Sequence, residues 1–133
     1  MSGLILAACG RDIAQLPKAP VRAGSGITIE AQAVPLNPAD PKQTFVGDFV
    51  YAGGVRLTSA QTSRLHGLSD LDVQPDGSLI AVGDEGDLLR AKVALDAGGR
   101  LTGVSDARLT DLVGLDGKPL QGKDNRDSEG LAL

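Results

Sequence analysis

The chain has 133 residues, 41% of them hydrophobic and 23% charged, a globular composition long enough for one domain with a real core. Its net charge of −4, with the acids dispersed rather than in one block, excludes a binder of nucleic-acid backbones, which needs clustered Lys and Arg. One cysteine, Cys9, and one histidine, His66, exclude an intrachain disulfide and leave zinc without its usual soft ligands.

Aromatic side chains are confined to Phe45, Phe49 and Tyr51, so Leu, Val and Ala must fill the core. Eighteen glycines point to many tight turns and short strands.

At the start of the chain, Leu6-Ala7-Ala8-Cys9-Gly10 resembles a bacterial lipoprotein lipobox. Only Ser2 to Ala8 follow the initiating Met before the cysteine, and none is basic. A signal peptide has a basic start and an apolar stretch of roughly 7–15 residues, so the leader reads as truncated. The resemblance implies lipidation of Cys9 and a membrane anchor. It places the protein in the cell envelope or periplasm, or outside the cell. Residues 11–25 hold Pro17, Pro20, Gly24 and Ser25 with little periodicity and read as a linker. Residues 1–25 are thus a truncated signal plus linker, and 26–133 the folded domain. No stretch approaches the roughly 18 apolar residues of a transmembrane helix.

Ile27 to Val34 alternates, with Ile27, Ile29, Ala31 and Ala33 on one face, the pattern of a half-buried strand. Pro35, Pro38 and Pro41 end it. Phe45 to Leu57 reads as a strand pair or a bent strand, with Phe45, Phe49, Tyr51, Val55 and Leu57 on one face and a break at Gly53-Gly54. Thr58 to Leu65 is polar and fits a loop or a helical turn equally.

From Gly67 the pattern becomes regular. Strands are expected at Leu68–Val73, Leu79–Val82, Leu88–Leu95 and Leu101–Leu109. Pro75-Asp76-Gly77, Gly83 to Gly86 and Ala97 to Arg100 supply the turns between them. Four short antiparallel strands joined this way make a meander, which fits one blade of a β-propeller or half of a sandwich. The fold class is therefore all-β. The chain is expected to be the N-terminal piece of a longer protein, because an apolar run opens at Leu131-Ala132-Leu133 with no turn after it.

Carboxylates are the residues with a chemical pattern. Asp70 and Asp72 share a strand face, and Asp84 and Glu85 sit in one tight turn. Asp116, Asp124, Asp127 and Glu129 cluster near the end. Asp127 and Glu129, two apart, point the same way in an extended segment. Hard cations such as calcium take several such oxygens from loops, whereas an EF-hand is excluded because the twelfth position of a loop that starts at Asp72 is Gly83, not Glu. His66 and Ser69 are the residues a nucleophilic pair would need, but no G-x-S-x-G elbow or P-loop occurs.

Several segments, in order, are similar to the phytase-like family with esterase-like activity. They are Gly53-Gly54-Val55-Arg56-Leu57, Gly67-Leu68-Ser69-Asp70-Leu71, Ala81-Val82-Gly83-Asp84-Glu85-Gly86, Gly99-Arg100-Leu101-Thr102-Gly103-Val104 and Asp127-Ser128-Glu129-Gly130-Leu131-Ala132. The resemblance runs from about Ala33 to the end. It implies a secreted or periplasmic β-propeller longer than this chain, with acids around its central channel. It carries metal-binding roles to Asp70, Asp84, Asp127 and Glu129. The chain departs from the family pattern at His66 and Glu85, two positions that bear on substrate preference.

The expectation is a metal-assisted hydrolase of phosphate or carboxylic esters. Calcium would neutralise an anionic small-molecule ester and polarise the bond to be cleaved. The alternative is a non-catalytic propeller lipoprotein that binds a ligand or partner, since a propeller does not specify chemistry.

Overall fold

A computed structural model of the protein describes residues 26–131. The lipobox cysteine Cys9, the linker and the last two residues of the apolar run lie outside the described residues. The described chain is nearly all-β. Its strands are β1 (Glu30–Ala33), β2 (Phe45–Val46), β3 (Phe49–Val50), β4 (Val55–Thr58), β5 (Leu68–Val73), β6 (Ser78–Gly83), β7 (Asp87–Leu95) and β8 (Leu101–Asp111). One helical turn, α1 (Lys123–Arg126), follows them. Among the described residues no helix is long and apolar enough to cross a membrane.

The expected meander is present as an antiparallel sheet in the order β5-β6-β7-β8. Its turns form where local chemistry directs them. Gly77 takes φ 79°. Asp76 accepts from the Ser78 N–H at 2.9 Å and from the Lys92 ammonium at 3.0 Å. The Ser78 bonds and Lys92 hold the Asp76 pKa down at about 2. In the next hairpin Asp96 accepts from the N–H groups of Gly98 and Arg100, and Gly99 takes φ 76°. β8 runs past the expected Leu109 because Thr110 pairs with Leu88 and Asp111 with Asp87, and its register shifts along the way. Arg90 pairs with Arg108 but Lys92 with Ser105. One extra residue is accommodated at Asp106-Ala107, where Asp106 adopts φ 51°, a left-handed conformation that Asp tolerates better than most residues.

The core lies on one face of this sheet. Leu79, Ala81, Leu89, Ala91, Ala107 and Leu109 are buried there, following the cross-strand pairs Leu79 with Ala91, Ala81 with Leu89, and Leu89 with Leu109. Leu65, Ile27, Ile29 and Leu57 cover it. The segment at 58–65 is a loop. Ser59 and Thr62 turn it by accepting from the N–H groups of Gln61 and Arg64, so short hydroxyl side chains replace helical bonding.

The N-terminal half departs from its alternation pattern. Ile27 and Ile29 pack on the core, but Ala31 and Ala33 are exposed. The reason is that β1 pairs only with β4 in a two-stranded ribbon. Phe45 and Phe49 do not share a face. β2 and β3 form a hairpin that pairs Phe45 with Val50 and Val46 with Phe49. The turn at Gly47, φ 55°, reverses the chain inside what reads as one alternating run.

Candidate functional site

The turn from β6 to β7, Gly83 to Gly86, is the meeting point of three segments. The Asp84 N–H donates to the Gly67 carbonyl at 2.9 Å, and the Gly86 N–H to the Gly83 carbonyl at 3.1 Å. The turn is thereby tied to the residue that opens β5. Gly67 has φ 57°, a backbone conformation that favours glycine, and a Cβ there would displace the Asp84 carboxylate. Asp84 Oδ1 is buried without a hydrogen-bond partner among the described residues. A buried carboxylate oxygen in that state is unfavourable unless a donor or cation reaches it.

α1 closes over the same turn. The Arg126 Nε donates to the Glu85 carbonyl at 2.6 Å, and its side chain packs on Gly86, where a Cβ would come within 3.1 Å of it. Asp84, Glu85, Gly122, Lys123 and Arg126 line a polar groove of about 510 Å³. A smaller cavity of about 280 Å³ shares Glu85 and Arg126 and reaches Arg64 and Asp111.

Arg64 is the anchor beneath this second cavity. It bonds Asp87, which opens β7, and Asp111, which ends β8, the latter at 2.5 Å. Asp87 and Asp111 face each other across the strand pair, so their charges would repel without the guanidinium between them. Asp87 is 1% exposed. The pair is asymmetric. Burial raises the Asp87 pKa despite the neighbouring Arg64 charge. Burial also opposes the charge on Arg64, but the Asp111 hydrogen bond and the two carboxylates outweigh it and hold the guanidinium charged.

The four acids singled out by sequence fall into different settings. Asp70, on β5, accepts from the Leu71 N–H and the Leu131 N–H, each at 2.8 Å. Both its oxygens serve the backbone, and the second bond draws the segment after α1 across the end of β5. Asp84 keeps its buried oxygen. Asp127 pairs with Lys123 at 3.4 Å, one helical turn away. Glu129 is exposed on the same segment. Asp70 on β5 and Asp84 in the turn after the adjoining β6 are thus brought to one end of the sheet, and the 123–131 segment reaches both through the Leu131 bond to Asp70 and the Arg126 bond to Glu85. Among the described residues, no three His, Cys, Asp or Glu side chains gather closely enough to hold a metal ion.

The Ser69 hydroxyl donates to the Gly67 carbonyl at 3.4 Å, while His66 Nε2 lies 3.8 Å from Glu85 Oε2. The histidine faces a carboxylate from the neighbouring turn. Sequence reading missed Arg64, Asp87, Asp111, Lys123 and Arg126. The partners of Arg64 and Arg126 lie 23 to 47 residues away, and no spacing announces such pairs, whereas Lys123 pairs with Asp127 at i,i+4. In sequence Arg64 is one polar residue in the polar stretch 58–65, and only the structure shows its neighbours Thr62, Ser63 and Leu65 buried.

No curated protein and no solved structure matches the chain. The family model described as Phytase-like, esterase-like activity of phytase, matches residues 63–133. That span holds the whole meander, the Gly83–Gly86 turn, the Arg64 anchor and α1. The turn bearing the buried Asp84 oxygen and the groove that Lys123 and Arg126 line thus sit within the matched region, which covers more than half of the chain, and the chain belongs to the Phytase-like family.

Proposed function

We propose that the protein is a hydrolase of phosphate or carboxylic esters and that the reacting group lies in the groove along the Gly83–Gly86 turn. The observation that carries this reading is the Asp84 oxygen, buried without a partner, in a groove that Lys123 and Arg126 also line. Lys123 and Arg126 would attract an anionic group, and Asp84 would hold a proton or a water beside it. Arg64 would keep the floor in place through Asp87 and Asp111.

Calcium is proposed as the cation of this site, with Asp84 the acid that keeps an oxygen for it. Asp70 would fix the segment bearing Asp127 and Glu129. The described residues gather no cage of acids, so no step of hydrolysis is routed through the ion. The meander is proposed as one blade of a propeller, and Cys9 as a lipid anchor holding the protein in the cell envelope.

Turnover of a phosphate monoester and a carboxylic ester by the full-length protein, with and without calcium, tests the reading. Asp84→Asn is expected to lower kcat/KM by about 10²-fold or more with the fold retained. Equal rates in the two proteins would overturn it. A propeller that binds a ligand without turning it over is the second reading, favoured because Ser69 Oγ donates to the Gly67 carbonyl and His66 Nε2 faces Glu85, so each is engaged away from the other rather than as a nucleophile–base pair. It requires binding with no hydrolysis of either ester.

A further inference from the structure

Glu85 joins the polar groove to a second, different cavity. Its carboxylate faces His66 at 3.8 Å, and His66 lies on the rim of an apolar cleft of about 330 Å³. Leu65, Leu68, Leu71, Val73 and Leu79 form much of the wall, and His66 is the one polar side chain among the described residues that line it. Leu71 is 57% exposed and Val73 45%, so the cleft opens to solvent beside β5. An apolar hollow with a single polar group at its mouth suits a ligand with one reactive end and an apolar body. The volume is at the small end of the range of about 300–1,000 Å³ for ligand pockets.

We infer that this cleft binds the acyl chain of a short carboxylic ester and that His66 is the general base for its hydrolysis, oriented by Glu85. The inference rests on the hydrolase reading but moves the reacting carbon of a carboxylic ester from the Gly83–Gly86 groove to the cleft on the other side of Glu85, leaving the groove to anionic phosphate esters. A purely structural packing face would not need an imidazole at its rim facing a carboxylate from another turn.

The chemistry follows from the two ring nitrogens. The Glu85 carboxylate beside Nε2 favours the proton on that nitrogen, which leaves the Nδ1 lone pair free. The attacking group is a water, with the Ser69 hydroxyl left on the Gly67 carbonyl. The water oxygen bonds to the ester carbonyl carbon while Nδ1 takes its proton. The bond from that carbon to the alcohol oxygen then breaks, and the leaving oxygen takes the proton back from the imidazolium. The products are a carboxylic acid and an alcohol, with no other reactant. A separation of 3.8 Å suits an unliganded site, where catalytic contacts are often long before substrate closes them.

The test uses the full-length protein with 4-nitrophenyl acetate and butyrate, and with 4-nitrophenyl phosphate as the contrasting ester. Butyrate adds two methylenes, so kcat/KM is expected to rise about 15-fold over acetate if the cleft holds the chain. His66→Ala should lower kcat on butyrate by about 10²-fold or more, leave the phosphate ester unaffected and regain part of the rate with added imidazole. Glu85→Gln should lower kcat with KM unchanged. Leu71→Ser, at an exposed position, should raise KM for butyrate alone. Hydrolysis of the phosphate ester with His66→Ala equal to wild type on both carboxylic esters would overturn the inference and leave the hydrolase reading standing. No turnover of any of the three esters would overturn both.

Discussion

In the β5–β8 sheet, Leu89 and Leu109 are fully buried and Leu79 is 7% exposed, whereas in the β2–β3 hairpin Phe45, Val46, Phe49 and Val50 are 54% to 82% exposed. Both regions are built of strand-forming apolar residues, and the hairpin contains the only two phenylalanines of the chain. The difference is in layers. A four-stranded sheet has a face wide enough for Leu65, Leu57 and Ile29 to cover, while a two-stranded ribbon of four paired residues presents both sides to water. Hydrophobicity selects strand, but burial requires a second layer to lie across it.

The largest effect is expected at Arg64, which ties the ends of β7 and β8 together. Arg64→Ala is expected to destabilise the full-length protein by about 3–5 kcal/mol, because it leaves Asp87 buried beside Asp111 without a counter-charge. Urea unfolding measures this, and a loss below about 1 kcal/mol would mean the anchor is dispensable. Leu89→Ala, in the middle of the covered face, should cost about 2–5 kcal/mol in the same measurement. Gly67→Ala sits at the join of the sheet and the Asp84 turn. It combines a left-handed backbone with a collision and should cost about 1–3 kcal/mol.

A change of slope rather than of midpoint is expected for Asp87→Asn. The folded pKa of Asp87 is raised. Its stabilising contribution is therefore present below the unfolded value, near 3.8, and is lost as pH rises through the folded value. Asp76 acts in the opposite sense. With its pKa held at about 2, its contribution is present above the unfolded value of 3.8 and is lost as pH falls toward about 2. The Asn variant should therefore gain less stability than wild type when the pH is lowered from neutrality toward 4. The smallest effect is expected for Phe49→Ser, within about 0.5 kcal/mol of wild type. A larger loss would show that the hairpin is covered in the full-length protein and would erase the contrast between the two regions.

The meander was legible because its instructions are local. Pro75-Asp76-Gly77 and Asp96 to Gly99 each fold through side chains and glycines within a few residues of each other. β1 and the hairpin were misread in their faces because alternation says where side chains point and nothing about what lies opposite. A turn at Gly47-Asp48 is also short enough to hide inside an alternating run. At the site, the acids Asp70 and Asp84 stood out in sequence, but the bond from Leu131 to Asp70 spans 61 positions and had no local trace. Arg64 illustrates the same limit. Its role arises only when the ends of β7 and β8 come together.

The hairpin is sealed at its base. The Tyr51 N–H donates to the Thr44 carbonyl at 2.8 Å and the Tyr51 hydroxyl to the Val34 carbonyl at 2.5 Å. Everything between Thr44 and Tyr51 is therefore bracketed by contacts that do not depend on what the bracket contains. A longer, shorter or chemically different tip at Gly47-Asp48 would leave the entry into β4, and so the sheet, where it is. This stretch is where the lineage can acquire new loops at little risk to the scaffold, and where an epitope or a fluorophore can be placed without disturbing the chemistry beside the Gly83–Gly86 turn.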